Sequence, residues 1–242
     1  MSYRKIVCSA LIAAAIPGAF AFSHPFTATF AGTGFGQNVS VTATVNSVTS
    51  TYNVFAGQLK WNRTFANPLL SIFNGPAWTF CVDITTFVST PASFDLESTG
   101  SATPPLPLGV SPANLAAAGN FFQAHHSWLS TGAGTVNERY AVMQVSIWSI
   151  LYGGLTLGTP SLSTALTSLQ SVSGINLATG TFTAISTPTN AYYWNPSTGS
   201  QAQIEYVPGG DGAGDPVPEP FTMGLVGAAA LAALKRRRAK KA

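Results

Sequence analysis

The sequence predicts an α+β domain, with β-sandwich or barrel-like strands at both ends and a helical insertion in the middle. Three observations carry this expectation. Residues 26–66 alternate apolar and β-prone polar side chains, residues 112–172 hold the helical periodicities, and residues 181–207 return to short β-prone runs. Strands, then helices, then strands is the order of an α+β chain. At 242 residues the chain is long enough to bury one good-sized core. Charged residues make up 8% and hydrophobic residues 46%, a balance that fits a β-rich extracellular protein.

In order, FTATFAG, NVSVTATVNSV, TYNVFAGQLKW and RTF read as strands, with Gly32, Gly34 and Gly36 as turn markers. Val39, Val41, Ala43 and Val45 fall on one face, and Ser40, Thr42, Thr44 and Asn46 on the other. Asn67-Pro68 and Asn74-Gly75-Pro76 are breakers around a short apolar piece, Leu69–Phe73. Trp78–Val88 reads as a further strand, and Pro91–Pro112 as a polar, proline-rich connection without a core pattern. A helix follows over 112–130, with Ser111 as N-cap and Pro112 at its first position. Thr131–Thr135 is a glycine-containing turn into the clearest helical pattern of the chain, Arg139–Gly154. Thr135 and Glu138 supply a capping box there, or Asn137 the cap, and Tyr152-Gly153-Gly154 the stop. Ser161–Val172 reads as a short helix, and Thr181–Ile185, Ala191–Trp194 and Gln201–Val207 as closing strands. Together these make one domain over 22–207, followed by a flexible acidic linker at 208–216.

The formal charge of +3 comes from the two ends. Between Phe22 and Val217 only Lys60, Arg63 and Arg139 are basic, against seven acidic residues, a net charge of −4. No basic patch is present, so nucleic acid is not an expected partner. Residues 1–21 have the form of a secretory signal peptide: Arg4 and Lys5, an apolar Ile6–Ile16, and Ala19 and Ala21 at the −3 and −1 positions of a cleavage site. A retained anchor is the competing reading of this end. At the other end Pro218, Glu219 and Pro220 precede an apolar run, Phe221–Leu234, and the basic tail Lys235–Lys241. Fourteen helical residues span roughly 21 Å at 1.5 Å each, short of a hydrocarbon core of about 30 Å. The tail keeps the segment oriented with the domain outside.

Residues 217–242 resemble the PEP-CTERM sorting signal, with Pro218-Glu219-Pro220, the transmembrane segment 221–234 and the basic tail in that order. The resemblance implies export, transient membrane insertion, and processing by signal peptidase and an exosortase-type enzyme. The product would lie at the cell surface or in an extracellular, exopolysaccharide-containing matrix. A simple C-terminal anchor is the alternative.

Removal of Cys8 with the signal peptide leaves Cys81 as the only cysteine, so no internal disulfide can form. Gln144 lies within an almost charge-free helix, where Tyr140, Ile147, Trp148 and Leu151 share its face. A carboxamide in such a place requires partners. Phe80-Cys81-Val82-Asp83 and Gln144-Val145-Ser146-Ile147-Trp148 together resemble the Cys–Gln thioester domains of bacterial surface adhesins. The resemblance implies that Cys81 and Gln144 form an internal thioester, with Asp83, Tyr140 and Trp148 in support. Surface amines or hydroxyls would then attack it. A thiolate is the one strong side-chain nucleophile at neutral pH, and proximity must make a carboxamide reactive. Such a protein reacts once per molecule, so it is not expected to be an enzyme.

The alternatives are a buried free thiol beside a hydrogen-bonded glutamine, and a non-covalent exopolysaccharide or carbohydrate-binding matrix protein with Tyr192, Tyr193 and Trp194 as a stacking platform. Asp83 could polarise the amide or simply cap a turn. No cofactor and no metal site is expected: His125 and His126 are adjacent on a helix and point about 100° apart. Asp95 and Glu97, two apart in an expected loop, are a weak carboxylate pair. No hydrolase or nucleotide-binding motif accompanies them.

Overall fold

A computed structural model describes residues 24–206, apart from 103, 184–190 and 198. The expected signal peptide with Ala19 and Ala21, the linker, and the sorting signal with Pro218, Glu219 and Pro220 lie outside the described residues. Among the described residues no helix is long and apolar enough to cross a membrane.

The predicted class holds, and the sheet takes the barrel form. Strands β1 (His24–Val45) and β2 (Val48–Phe65) make one long hairpin. Its two-residue turn, Asn46-Ser47, has φ of 48° and 67°, the left-handed pair that matches the twist of the flanking strands. From there β2 pairs with β3 (Gly75–Cys81), β3 with β7 (Gln203–Tyr206), β7 with β6 (Ala191–Pro196), β6 with β4 (Ala92–Ser98), and β4 with the start of β1. Every pairing is antiparallel, and the ring closes on itself. Alternation puts Phe26, Trp61, Phe94 and Trp194 inside, with ring centroids 4.8 to 6.0 Å apart. Arg63 and Glu205 are also inside and form an ion pair; Glu205 accepts a second bond from Trp194 Nε1 at 3.0 Å.

The far half of the hairpin runs past the ring, where β5 (Leu155–Leu157) adds to β1 at Val41–Ala43. The glycines expected to mark turns lie instead within β1, whose register slips between Phe30 and Gly32 and between Thr33 and Gly36. Such bulges bend a strand without ending it. Gly36 faces Gly57 across the hairpin, both near φ 150°, and a Cβ on Gly57 would lie 2.4 Å from the Phe35 carbonyl oxygen.

The helices lie between β4 and β6 in sequence. Helix α1 (Pro112–His125) starts as expected, with Ser111 Oγ accepting from Asn114 N–H, and stops at His126. A four-residue helix α2 (Trp128–Thr131) completes the predicted span. Helix α3 (Val136–Tyr152) has both halves of the Thr135/Glu138 capping box and ends at Gly153 with φ 71°. Helix α4 (Ser163–Ser173) follows. From Ala141 to Leu151 every residue of α3 is buried. A helix without a solvent face is the central element of its domain; α3 packs on β1, β2, α1 and α4.

Several expectations need correction. The connection Pro91–Pro112 contains β4, in which Phe94 and Leu96 are core residues. Asp95 and Glu97 therefore lie on a strand, and Glu97 accepts a bond from Asn195 at 3.1 Å. The strand expected to reach Val88 ends at Cys81. Thr181 makes only an isolated bridge to Asn176, and the rest of that expected strand from 184 onward lies outside the described residues. Tyr193 and Trp194 are fully buried, which leaves no stacking platform for a sugar there.

Candidate functional site

The closed ring ends β3 against the middle of α3, and this brings together the two residues that the sequence singled out. Gln144 is 0% exposed. Its carboxamide lies against the peptide of Cys81: the Cys81 N–H donates to Gln144 Oε1 at 2.8 Å, and Gln144 Nε2 donates to the Cys81 carbonyl at 2.7 Å. Cys81 closes β3 opposite Gln203 of β7. A strand end leaves main-chain groups free of the ladder, and a buried amide satisfies both of them.

The Cys81 thiol is buried and donates to the carbonyl of Asp83 at 2.8 Å. Burial pushes its pKa well up, and the Asp83 charge pushes the same way. Two smaller influences oppose them: the Trp148 indole and the bond to the Asp83 carbonyl. The Trp148 N–H, one turn after Gln144, is buried without a hydrogen-bond partner among the described residues. The thiol is thus held protonated and shielded.

Asp83 supports the site through its main chain. Its carboxylate is occupied in the turn, where Oδ1 accepts from Thr85 N–H and Oγ1 at 2.7 Å each. The turn-capping role is the one observed, and no bond to Gln144 is present. Tyr140, one turn before Gln144, stacks on Phe80 at 5.9 Å and 17°, and Phe122 meets the same ring edge-on at 5.1 Å. Phe80 is fixed by these rings, which sets the position of the next residue, Cys81.

Two residues that the sequence reasoning missed complete the frame. Tyr152 Oη donates to the Val82 carbonyl at 3.3 Å and accepts from Ile84 N–H at 3.2 Å. Gln201 Nε2 donates to the carbonyls of Asp83 and Thr86 at 2.7 and 2.8 Å. A polar residue next to a helix stop, and another just before a closing strand, were the available signals.

A cleft of about 690 Å³ opens beside the pair, and Cys81 and Trp148 are among its lining residues. One wall is the hairpin, with Phe30, Tyr52 and Phe55; the other is the segment after β3, from Ile84 to Val88. Phe87 stands at the rim, 88% exposed. Among the described residues no charged side chain lines the cleft.

The arrangement holds a carboxamide and a thiol in one buried place, with an apolar way in from the surface. The Cys81 N–H is already directed at the oxygen on which negative charge would collect if the Gln144 carbonyl were attacked. Among the described residues no group of three or more metal-ligating side chains converges. His125 and His126 instead meet the rings of Phe121 and Phe122 at 5.0 and 5.8 Å. Compared with family models, curated proteins and solved structures, the chain matches none.

Proposed function

We propose that the chain is an exported surface protein whose domain attaches covalently to its target through a Cys81–Gln144 thioester. The observation that carries this reading is the two-point contact between the Gln144 carboxamide and the Cys81 peptide, at 2.8 and 2.7 Å. It holds the amide carbon over the residue that bears the only thiol of the mature chain. Thioester formation requires the thiol to leave its bond to the Asp83 carbonyl and bring sulfur to that carbon. The Sγ–Cδ bond then forms, the Cδ–N bond breaks, and the thiol proton leaves on nitrogen as ammonia. Proximity of this kind is worth about 7–11 kcal/mol against a bimolecular encounter.

The thioester would be buried against water until an amine or hydroxyl entered the cleft. Attack forms an amide or ester at Gln144 Cδ and returns the proton to Cys81 sulfur. Each molecule reacts once, so the protein is an adhesin and not a turnover enzyme. The PEP-CTERM-like end supports delivery to the cell surface or extracellular matrix after signal peptidase and exosortase-type processing.

Intact mass tests the reading directly. Freshly folded mature protein should weigh one ammonia less than its sequence and resist thiol reagents. Methylamine should then free Cys81 and leave an N-methylamide that peptide mapping places on Gln144. A full sequence mass together with a freely labelled Cys81 overturns the proposal.

A further inference from the structure

The long hairpin leaves one strand edge open, and that edge borders the reactive cleft. On one side β2 pairs with β1 along its whole length. On the other it pairs with β3 only from Gln58 to Arg63. Strand β3 ends at Cys81, and among the described residues no main-chain group takes its place beside residues 51–55 of β2. The cleft is lined by these five consecutive residues and also by residues 84–88. A groove that touches every residue of a strand in turn meets it at its edge, because successive side chains point to opposite faces.

The register gives the direction of the main-chain groups. The two-residue turn Asn46-Ser47 makes Val45 and Val48 the hydrogen-bonded pair that closes the hairpin, and such pairs alternate along an antiparallel ladder. Tyr52 and Val54 therefore exchange bonds with β1, while Thr51, Asn53 and Phe55 turn their N–H and C=O groups to the open side. Thr51 and Asn53 are exposed and Phe55 is half-buried. At one end of this edge β2 and β3 part. Val82 N–H donates to the Ala202 carbonyl, on the β7 side, at 2.9 Å. The N–H and C=O of Cys81, one residue earlier, accordingly point to the β2 side, where the Gln144 carboxamide takes them. Gln144 thus sits in the fork between the two strands. Continuing the register puts Gly57 level with Cys81, and Phe55 two residues, roughly 7 Å, further along.

We infer that the open edge of β2 is the docking site for an extended polypeptide of the target, which adds as a strand in the lane that β3 leaves at Cys81. A row of donors and acceptors at strand spacing is matched by another extended main chain. Among the described residues the cleft lining carries no charge, so the target residues that lie beside 51–55 are uncharged. The added strand runs end-on into the fork, which brings its terminal side chain to Gln144. An amine or hydroxyl on that side chain attacks Cδ of the thioester, the Sγ–Cδ bond breaks, and the proton it sheds goes to Cys81 sulfur. Docking is independent of the thioester; only this transfer rests on that reading.

Two short peptides test it, each of alternating threonine and valine with a lysine at one end or the other. Amide hydrogen exchange is followed in the full mature chain carrying Cys81→Ala, where no acyl chemistry occurs. With at least one peptide at millimolar concentration, the Thr51, Asn53 and Phe55 amides should slow saturably and at least tenfold. N-methylation of alternate residues on one edge of that peptide should abolish the effect, and on the other edge leave it within twofold. Asn53→Pro removes one outward N–H, spares the bonds to β1, and should weaken binding tenfold or more. The thioester-bearing parent should couple to the same peptide faster than to methylamine at equal concentration. The inference is overturned if those amides do not slow, if both methylation patterns or Asn53→Pro bind as well as the originals, if dextran slows the amides as much, or if the thioester-bearing parent couples no faster to peptide. Slow exchange before peptide is added would mean that a second copy or the chain's own continuation fills the lane, and overturns it too. Docking to Cys81→Ala together with a full sequence mass in the parent would remove the thioester and leave the docking edge standing.

Discussion

Replacing Gln144 by Glu in a Cys81→Ala background isolates the contact on which the site depends. The background removes the sulfur and with it any acyl chemistry, but keeps the main-chain N–H and carbonyl of residue 81. In the parent, Nε2 donates to that carbonyl at 2.7 Å. In Gln144→Glu the same place holds an oxygen, which satisfies the carbonyl only when it carries a proton. The residue is 0% exposed, so the ionised acid is disfavoured by burial and by the facing carbonyl together. Its folded pKa is therefore raised above the unfolded value of about 4.3. The sign follows. The protonated acid gives near-parental stability below pH ~4.3, and that stability is lost as pH rises through the folded pKa. A fully buried acid can shift by about 3–5 units at about 1.36 kcal/mol each, which keeps the folded pKa at or above neutral; the loss at pH 7, about 2.7 units above the unfolded value, is then about 3.5 kcal/mol and grows further toward pH 8. Urea unfolding of both variants from pH 4 to 8 measures the difference, and titrations common to both cancel. A difference that stays flat with pH would mean that the Gln144 side chain does not donate to residue 81, and the site described above would be wrong.

Three other outcomes follow from the fold. Arg63→Ala leaves Glu205 buried without its cation, and unfolding by denaturant should show a loss of about 3–5 kcal/mol. Gly57→Ala forces a side chain into φ 150° and within 2.4 Å of the Phe35 carbonyl oxygen; a loss of at least about 1–3 kcal/mol is expected from the backbone strain. His24, His125 and His126 all have pKa values lowered by burial, that of His24 against the opposing charge of Asp95. Their stabilising effect is complete above the unfolded value of about 6.5 and is lost as pH falls through the folded values. The melting temperature should accordingly drop on acidification from pH 7 to 5, and the drop should shrink in His125→Gln. An unchanged slope in that variant would contradict the assignment.

The parts of the structure legible in sequence were those fixed by short-range chemistry. The Thr135/Glu138 box, the Ser111-Pro112 start and the alternation of Val39 to Val45 depend only on near neighbours. Strand β4 escaped because Pro91 and the prolines of 104–107 bracket a run whose Asp95 and Glu97 look solvent-facing. Glu97 is in fact buried, and its partner Asn195 is remote in sequence. Closure of the ring was hidden for the same reason, since it rests on β4 meeting both β1 and β6. The two key site residues were legible by type, one cysteine and one glutamine in an uncharged helix. Their relative orientation was not, because it depends on where β3 stops. The lack of charge from Ala141 to Gly154 was itself a sign that α3 has no exposed side, although only one face was inferred from it.

The pairing of Cys81 with Gln203 has a mechanical consequence. Strand β7 is only four residues long, runs between β3 and β6, and ends at Tyr206, beyond which the chain continues toward its C-terminus. Tension applied from that side acts along β7 and loads two flanking ladders in shear, where the bonds share the force and do not open one by one. If the far end of the tether were Gln144, most of the domain would lie outside the line of pull. The barrel could then transmit load between target and cell through β7, β3 and α3, while the long hairpin and the other helices stay slack.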